Sequence, residues 1–180
     1  NYTNMPSGND FAAISAGDGH NLALHSNGAL DAWGYNRYGE CDIPLGYEFS
    51  IISAGSYFSV GISNGSLIAW GRNEDSECEV PVGYDFVDVS SGWRHSVALK
   101  SDGSLVAWGD NGAGECVVPS GNDFVAVTAG RKFSIALKND SSLVAWGKSN
   151  YTNMPSGNDF AAISAGAFHW VALKGDGSLI

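Results

Sequence analysis

The chain has 180 residues, 44% of them hydrophobic and 12% aromatic, enough for one domain with a core of its own. Nine Lys and Arg against nineteen Asp and Glu leave a net charge of −10, which argues against a nucleic-acid partner, because phosphate binding needs clustered cations. No apolar run approaches the roughly 20 residues that cross a bilayer as a helix, and twenty-four glycines with only 16% charged residues point to many tight turns rather than to disorder.

In chain order, the first stretch is Asn1–Gly17, and it returns residue for residue as Asn150–Gly166. An identity of this length exceeds what any fold demands and points to recent duplication or design. With no initial Met and no signal peptide, the chain reads as a mature form or as a piece of a longer one. Asn1–Pro6 matches the last strand of a repeating unit. Units then follow at approximately 10–46, 47–83, 84–121, 122–157 and 158–180, and residues 1–9 are expected to complete the fifth. The period shows best in the tryptophans: Trp33, Trp70, Trp108 and Trp146 are 37, 38 and 38 residues apart, each in a Leu-x-Ala-Trp-Gly stretch, and Ser178-Leu179-Ile180 begins a fifth copy.

The third unit shows the expected elements. Residues 85–90 alternate β-branched and polar side chains as a strand does. A turn at 91–94 leads to a second strand at 95–100. Ser101-Asp102-Gly103 is a hairpin turn, matched by Ser26-Asn27-Gly28, Ser63-Asn64-Gly65 and Gly175-Asp176-Gly177. Asn-Gly and Asp-Gly suit a type I′ turn. Asn139-Asp140-Ser141 lacks the glycine and is expected to be the most strained copy. Residues 104–108 form a third strand, and residues 115–119, ending in Pro119, a short fourth one at an outer edge. Leu105, Val106, Ala107 and Trp108 make the third strand apolar on both faces, which requires cover on both sides. Stacked blades supply it. The fold class expected is all-β: a β-propeller of four-stranded antiparallel blades of about 37–38 residues, closed as five blades by pairing of the N- and C-terminal strands.

Three motifs recur: Ala-Gly-x-x-His-Ser-x-Ala-Leu-Lys, Asp-Gly-Ser-Leu-x-Ala-Trp-Gly and Asn-x-x-Gly-Glu-Cys-x-Val-Pro. Over its whole length the chain resembles the regulator of chromosome condensation (RCC1-like) repeat family, and most closely its compact prokaryotic type, exemplified by the propeller β-lactamase inhibitor protein. That resemblance implies a ring of blades, usually seven, used for protein recognition; this chain departs from it in blade number.

Positions common to the units read as structural. Cys41, Cys78 and Cys116 lie one unit apart, too far for a disulfide, and are expected to be buried free thiols. His20, His95 and His169 share their position with Phe58 and Phe133, so it is a packing position. Asp10, Asp85, Asp123 and Asp159, with Glu48, precede first strands and are expected to bond turn amides. Glu40, Glu77 and Glu115 occur once per unit. No nucleophile with its base, no metal set and no phosphate loop is legible, so neither an enzyme nor a cofactor is expected.

Positions that vary between units are the binding candidates. They fall in two turns of one rim: Tyr57, Trp93, Arg94, Arg131, Lys132 and Phe168 after the first strand, and Tyr35, Arg37, Tyr38, Arg72 and Tyr151 after the third. Exposed Tyr, Trp and Arg carry binding hot spots; neutral drift in surface loops is the alternative. The leading function is a non-enzymatic recognition module for a protein, or less favourably a glycan. Self-assembly into an extracellular layer or fibre is the runner-up, and nucleotide exchange on a small GTPase ranks below it. Sequons at Asn1, Asn64, Asn139 and Asn150 lean towards an extracellular or cell-surface setting, with the cytoplasm still open.

Overall fold

The computed structural model describes residues 5–180. The strands are β1 (Phe11–Ala16), β2 (His20–His25) and β3 (Leu30–Gly34); β4 (Ile51–Ala54), β5 (Phe58–Ser63) and β6 (Ser66–Gly71); β7 (Phe86–Ser91), β8 (His95–Lys100) and β9 (Leu105–Gly109); β10 (Phe124–Ala129), β11 (Phe133–Lys138) and β12 (Leu143–Gly147); and β13 (Phe160–Ala165) with β14 (Trp170–Lys174). Each of the first four groups is a three-stranded antiparallel meander, and β13–β14 is a hairpin to which Leu179 adds a single bridge at Leu173. Consecutive sheets stack so that the first strands β1, β4, β7, β10 and β13 adjoin in turn.

The first strands depart from strict alternation, and packing explains why. Phe86 and Val89 are both buried, at 3% and 5% exposure, although an odd spacing places residues on opposite faces of a regular strand. A register shift between Phe86 and Asp88 absorbs the extra residue, as it does after Phe11, Phe124 and Phe160. The bulge sends Val87 outward instead, to 45% exposure.

The hairpin turns differ from the expected type I′ in all but one unit. Only Asn64-Gly65 has two consecutive positive φ angles, 49° and 75°. At Lys100–Gly103 the Gly103 N–H donates to Lys100 O (3.0 Å) and the Asp102 carboxylate accepts from Ser104 N–H (2.9 Å), with φ positive only at Gly103. The acidic side chain closes its own turn and leaves one left-handed position to glycine. In the fourth unit that position is Ser141, at φ 64°.

The fourth strand does not form: the sheets have three strands rather than four. Local bonds take up the N–H groups at and just before its start, and Val117 N–H donates to Gly114 O (3.1 Å). Asn36, Asn73 and Asn111 accept from the N–H of Cys41, Cys78 and Cys116 at 2.8, 2.9 and 2.9 Å. Glu40, Glu77 and Glu115 fold back onto Tyr38, Asp75 and Ala113 N–H at 2.8, 2.7 and 2.7 Å. Local side-chain bonds of this kind compete with a ladder, and the segment becomes a compact loop around a buried glutamate.

That loop is the socket for the next sheet. Trp70, Trp108 and Trp146 donate their indole N–H to the carbonyls of Glu40, Glu77 and Glu115, at 2.9, 2.8 and 2.7 Å. A second series runs nearer the centre. Ser15, Ser53, Ser90 and Thr128 hydroxyls accept from Ala54, Ser91, Ala129 and Ala165 N–H at 2.8–3.1 Å. A third joins Phe49, Phe86, Phe124 and Phe160 N–H to carbonyls of the preceding hairpin turns. Each such bond contributes on the order of 1 kcal/mol net, and each fixes the offset between neighbouring sheets.

Closure into five blades is not shown. It would require Ala16 N–H to donate to Ser164, and no such bond exists among the described residues. Asn1–Pro6, the expected closing strand, lies mostly outside the described residues; Met5 and Pro6 belong to no strand. Trp33 is accordingly only half-buried, not equivalent to Trp70, Trp108 and Trp146.

Ser141→Gly should raise stability by about 1 kcal/mol, since a left-handed non-glycine residue costs about that much. Urea unfolding reads it as a higher midpoint at constant slope; an unchanged or lower midpoint would show that Ser141 is not strained.

Candidate functional site

The turns between first and second strands converge. Ala16-Gly17, Ala54-Gly55, Ser91-Gly92, Ala129-Gly130 and Ala165-Gly166 line one cavity of about 540 Å³, together with Asp18, Ser56, Trp93, Arg131, Ala167 and Phe168. The glycines follow from this convergence. A Cβ on Gly17 or Gly92 would collide with the carbonyl of Gly55 or Gly130 in the next sheet, so only glycine lets the turns close on a common mouth.

Variable side chains crown this mouth in two clusters. On one side Tyr35 and Tyr38 lie against Tyr57, with ring centroids 5.6 and 5.7 Å apart, and the Arg37 guanidinium lies 5.9 Å over Tyr38. On the other, the Trp93 ring has the guanidiniums of Arg94 and Arg131 over it at 4.1 and 4.2 Å, and the Lys132 ammonium at 5.9 Å. Arg131 is also 5.0 Å over Phe168, which stacks on Tyr151 at 6.3 Å. The two turns of each unit therefore do share a rim.

Arg72 is not part of that surface. It is buried to 8% exposure and pairs with the fully buried Glu77, with Asp75 (2.9 Å) and with Glu74. Burial by itself would weaken its charge, but the carboxylates more than offset this and raise its pKa. Glu40 and Glu115, whose units carry Tyr35 and Asp110 in place of Arg72, have an Oε1 with no protein partner. Arg72 was misassigned from variability alone: it varies because it completes the loop of its own unit. Carboxylates of the same variable turns restrain the rim: Asp75 bonds Arg94 (3.1 Å), Asp110 lies 3.9 Å from Lys132, and Ser56 donates to Asp18 (2.7 Å). All are contacts between units that no local pattern announces.

The repeated polar positions are structural, except that His169, expected to pack like His20 and His95, is exposed at the last sheet. His20 and His95 are buried, and their Nε2 atoms bond Ser59 and Ser134 of the next sheet at 2.8 and 2.9 Å; burial pushes both imidazoles down to about 4, so they are neutral at pH 7. The cysteines are free and half-buried rather than buried, each Sγ turned to a loop carbonyl, and burial raises Cys78 and Cys116 to about 11, which leaves them inert. The aspartates before the first strands do not cap turn amides. Asp85, Asp123 and Asp159 pair with Lys100, Lys138 and Lys174 at 3.6, 3.1 and 3.0 Å. Among the described residues, no three His, Cys, Asp or Glu side chains converge on a point that could hold a metal, and no helix is long and apolar enough to cross a membrane.

In the first unit a histidine replaces that lysine. His25 lies between Asp31 (Nε2 to Oδ2, 3.0 Å) and Asp10 (Nδ1 to Oδ2, 3.0 Å), and these hydrogen bonds, Asp31's first, raise its pKa above 6.5. Both nitrogens donate only in the imidazolium. The clamp's contribution is therefore complete below the unfolded value of 6.5 and disappears as pH rises through the higher folded value. An NMR titration should place His25 above 6.5, and Asp31→Asn should move it down; a His25 that titrates at or below 6.5 would contradict the clamp.

The family described as regulator of chromosome condensation (RCC1) repeat matches residues 11–40 and 86–115. These two stretches are RCC1-type repeats. Solved structures agree. The ectodomain of the receptor kinase CR4 from Physcomitrella patens is 28% identical, covers 94% of this chain and 48% of its own, and superposes with a TM-score of 0.80. The CRINKLY WD40 ectodomain of the Arabidopsis thaliana receptor kinase ACR4 is 24% identical over 96% of this chain and 62% of its own, TM-score 0.77. Yeast RCC1 (Prp20), solved bound to Kap60, is 20% identical over 94% and 55%, TM-score 0.79. The chain thus spans roughly half to three-fifths of these proteins and has the RCC1-like β-propeller fold. No curated protein sequence matches it.

Proposed function

We propose that this RCC1-type chain is a non-catalytic recognition module that holds a protein partner against the variable rim. One observation carries the reading. The ties between sheets repeat almost unchanged from unit to unit, while the turns around the mouth change in every unit and gather Trp93, Arg94, Arg131, Lys132, Phe168 and the tyrosine cluster on one rim. Residues free of the fold's demands have collected the side chains that suit an interface. Aromatic rings bury area at low entropic cost, and guanidinium groups pair with carboxylates. On a molecule of net charge −10, this aromatic patch also gathers three cations, two of them held by Asp75 and Asp110.

Trp93→Ala and Arg94→Ala should each weaken capture of the partner from the source organism by at least about 1–2 kcal/mol, the size of a hot-spot loss, with the unfolding midpoint almost unchanged. Ser101→Ala, on the opposite rim, should leave capture intact. Loss of capture by Ser101→Ala but not by the rim variants would put the interface on the wrong face.

A further inference from the structure

We propose that the mouth seats an acidic side chain from a short peptide segment of the partner, and that Arg131 is the cation that receives it. This deepens the rim reading and rests on it. Six of the nine cations lie within 4 Å of a carboxylate: Arg72, Arg94, Lys100, Lys132, Lys138 and Lys174. Among the described residues, the remaining three are Arg37, Lys148 and Arg131, and of these only Arg131 lines the mouth. Its guanidinium donates no hydrogen bond to any of the described residues, whereas its backbone is pinned: Arg131 N–H donates to Ala167 O (3.1 Å), and Trp93 N–H to Gly130 O (3.3 Å).

The guanidinium is thereby presented without being satisfied. Trp93 at 4.2 Å and Phe168 at 5.0 Å flank it. A weakly hydrated planar cation tolerates aromatic neighbours, and they fix its plane while its in-plane N–H groups stay available. A fork of parallel N–H donors matches a carboxylate in two-point geometry. The walls of the mouth are mostly alanine, serine and glycine backbone, and its volume of about 540 Å³ admits a side chain with its adjoining peptide but not a folded element.

Charge limits how much acid can enter. Asp18 stands on the same mouth, held by the Ser56 hydroxyl at 2.7 Å, and the protein as a whole is strongly anionic. An extended polyanion is repelled, and a segment with one or two carboxylates is accommodated. The geometry therefore selects a short acidic stretch of a protein rather than a nucleic acid.

The probe is the peptide acetyl-Gly-Glu-Glu-Gly-amide, titrated into the 15N-labelled chain, with its Gln-Gln counterpart and inorganic phosphate as separate arms. The acidic peptide should shift the Arg131 Nε–H and Trp93 indole signals saturably. Arg131→Gln should weaken this by at least about tenfold; Arg131→Lys, which keeps the charge without the fork, should retain part of it; and Lys138→Gln, whose ammonium pairs with Asp123 away from the mouth, should retain all of it. No saturable shift up to roughly 10 mM, a limit far weaker than useful affinities, overturns the proposal. Equal binding of the Gln-Gln peptide, unchanged binding in Arg131→Gln, or an equal response to phosphate does so too. If the peptide fails while the Trp93 and Arg94 variants still lose the partner, the mouth assignment falls alone; if those variants also keep the partner, the rim reading falls with it.

Discussion

One hydrogen bond organises this molecule: in the second, third and fourth sheets, the indole N–H of a tryptophan donates to a glutamate carbonyl in the loop of the sheet before it. The carbonyl can serve as a socket because its loop is rigid. The loop is rigid because an asparagine and the glutamate's own carboxylate bind its backbone N–H groups. A buried carboxylate is tolerable only when it is hydrogen-bonded, so the glutamate and the loop specify each other. Had those N–H groups joined a ladder, the sheet would have gained a strand and the next tryptophan would have lost its acceptor.

The same arrangement separates stability from recognition. Ties between sheets use tryptophan, serine or threonine hydroxyls and turn carbonyls at fixed places, and the glycines at the mouth are forced by crowding, against the next sheet's backbone at Gly17 and Gly92 and against the Phe58, Phe133 and His169 rings at Gly55, Gly130 and Gly166. The residues just beyond those glycines meet no such demand. They can change from unit to unit without altering the offset between sheets, which is the condition for a rigid scaffold to carry a variable surface. Here the variation has produced a lopsided rim, with tyrosines on one side and stacked cations on the other.

The period of the tryptophans, together with alternation in the strands, made the repeated meanders legible in the sequence, and the second strand of the third unit, His95–Lys100, is formed as expected. Three things were not legible, for three physical reasons. The Glu-Cys-x-Val-Pro segment has strand-like composition, but side-chain bonds to its own backbone outcompete pairing. Arg72 looked like an exposed variable residue, but its environment is set by a buried carboxylate five positions away. The aspartates ahead of the first strands resembled turn caps, but the lysine at the end of the second strand reaches them across the hairpin. Each depends on where a side chain points in three dimensions, which spacing along the chain does not encode. Of the candidate site, the choice of rim was readable from variability between units; the carboxylates that restrain Arg94 and Lys132 were not.

Hydrogen exchange of the indole N–H groups, followed by NMR, tests the tryptophan tie most directly. The account predicts slow exchange, close to the global unfolding limit, at Trp70, Trp108 and Trp146, and fast exchange at Trp33, whose sheet has no preceding loop among the described residues, and at Trp93 on the rim. Uniform exchange across these five, or fast exchange at Trp108, would show that the sheets are held in place by something other than this bond.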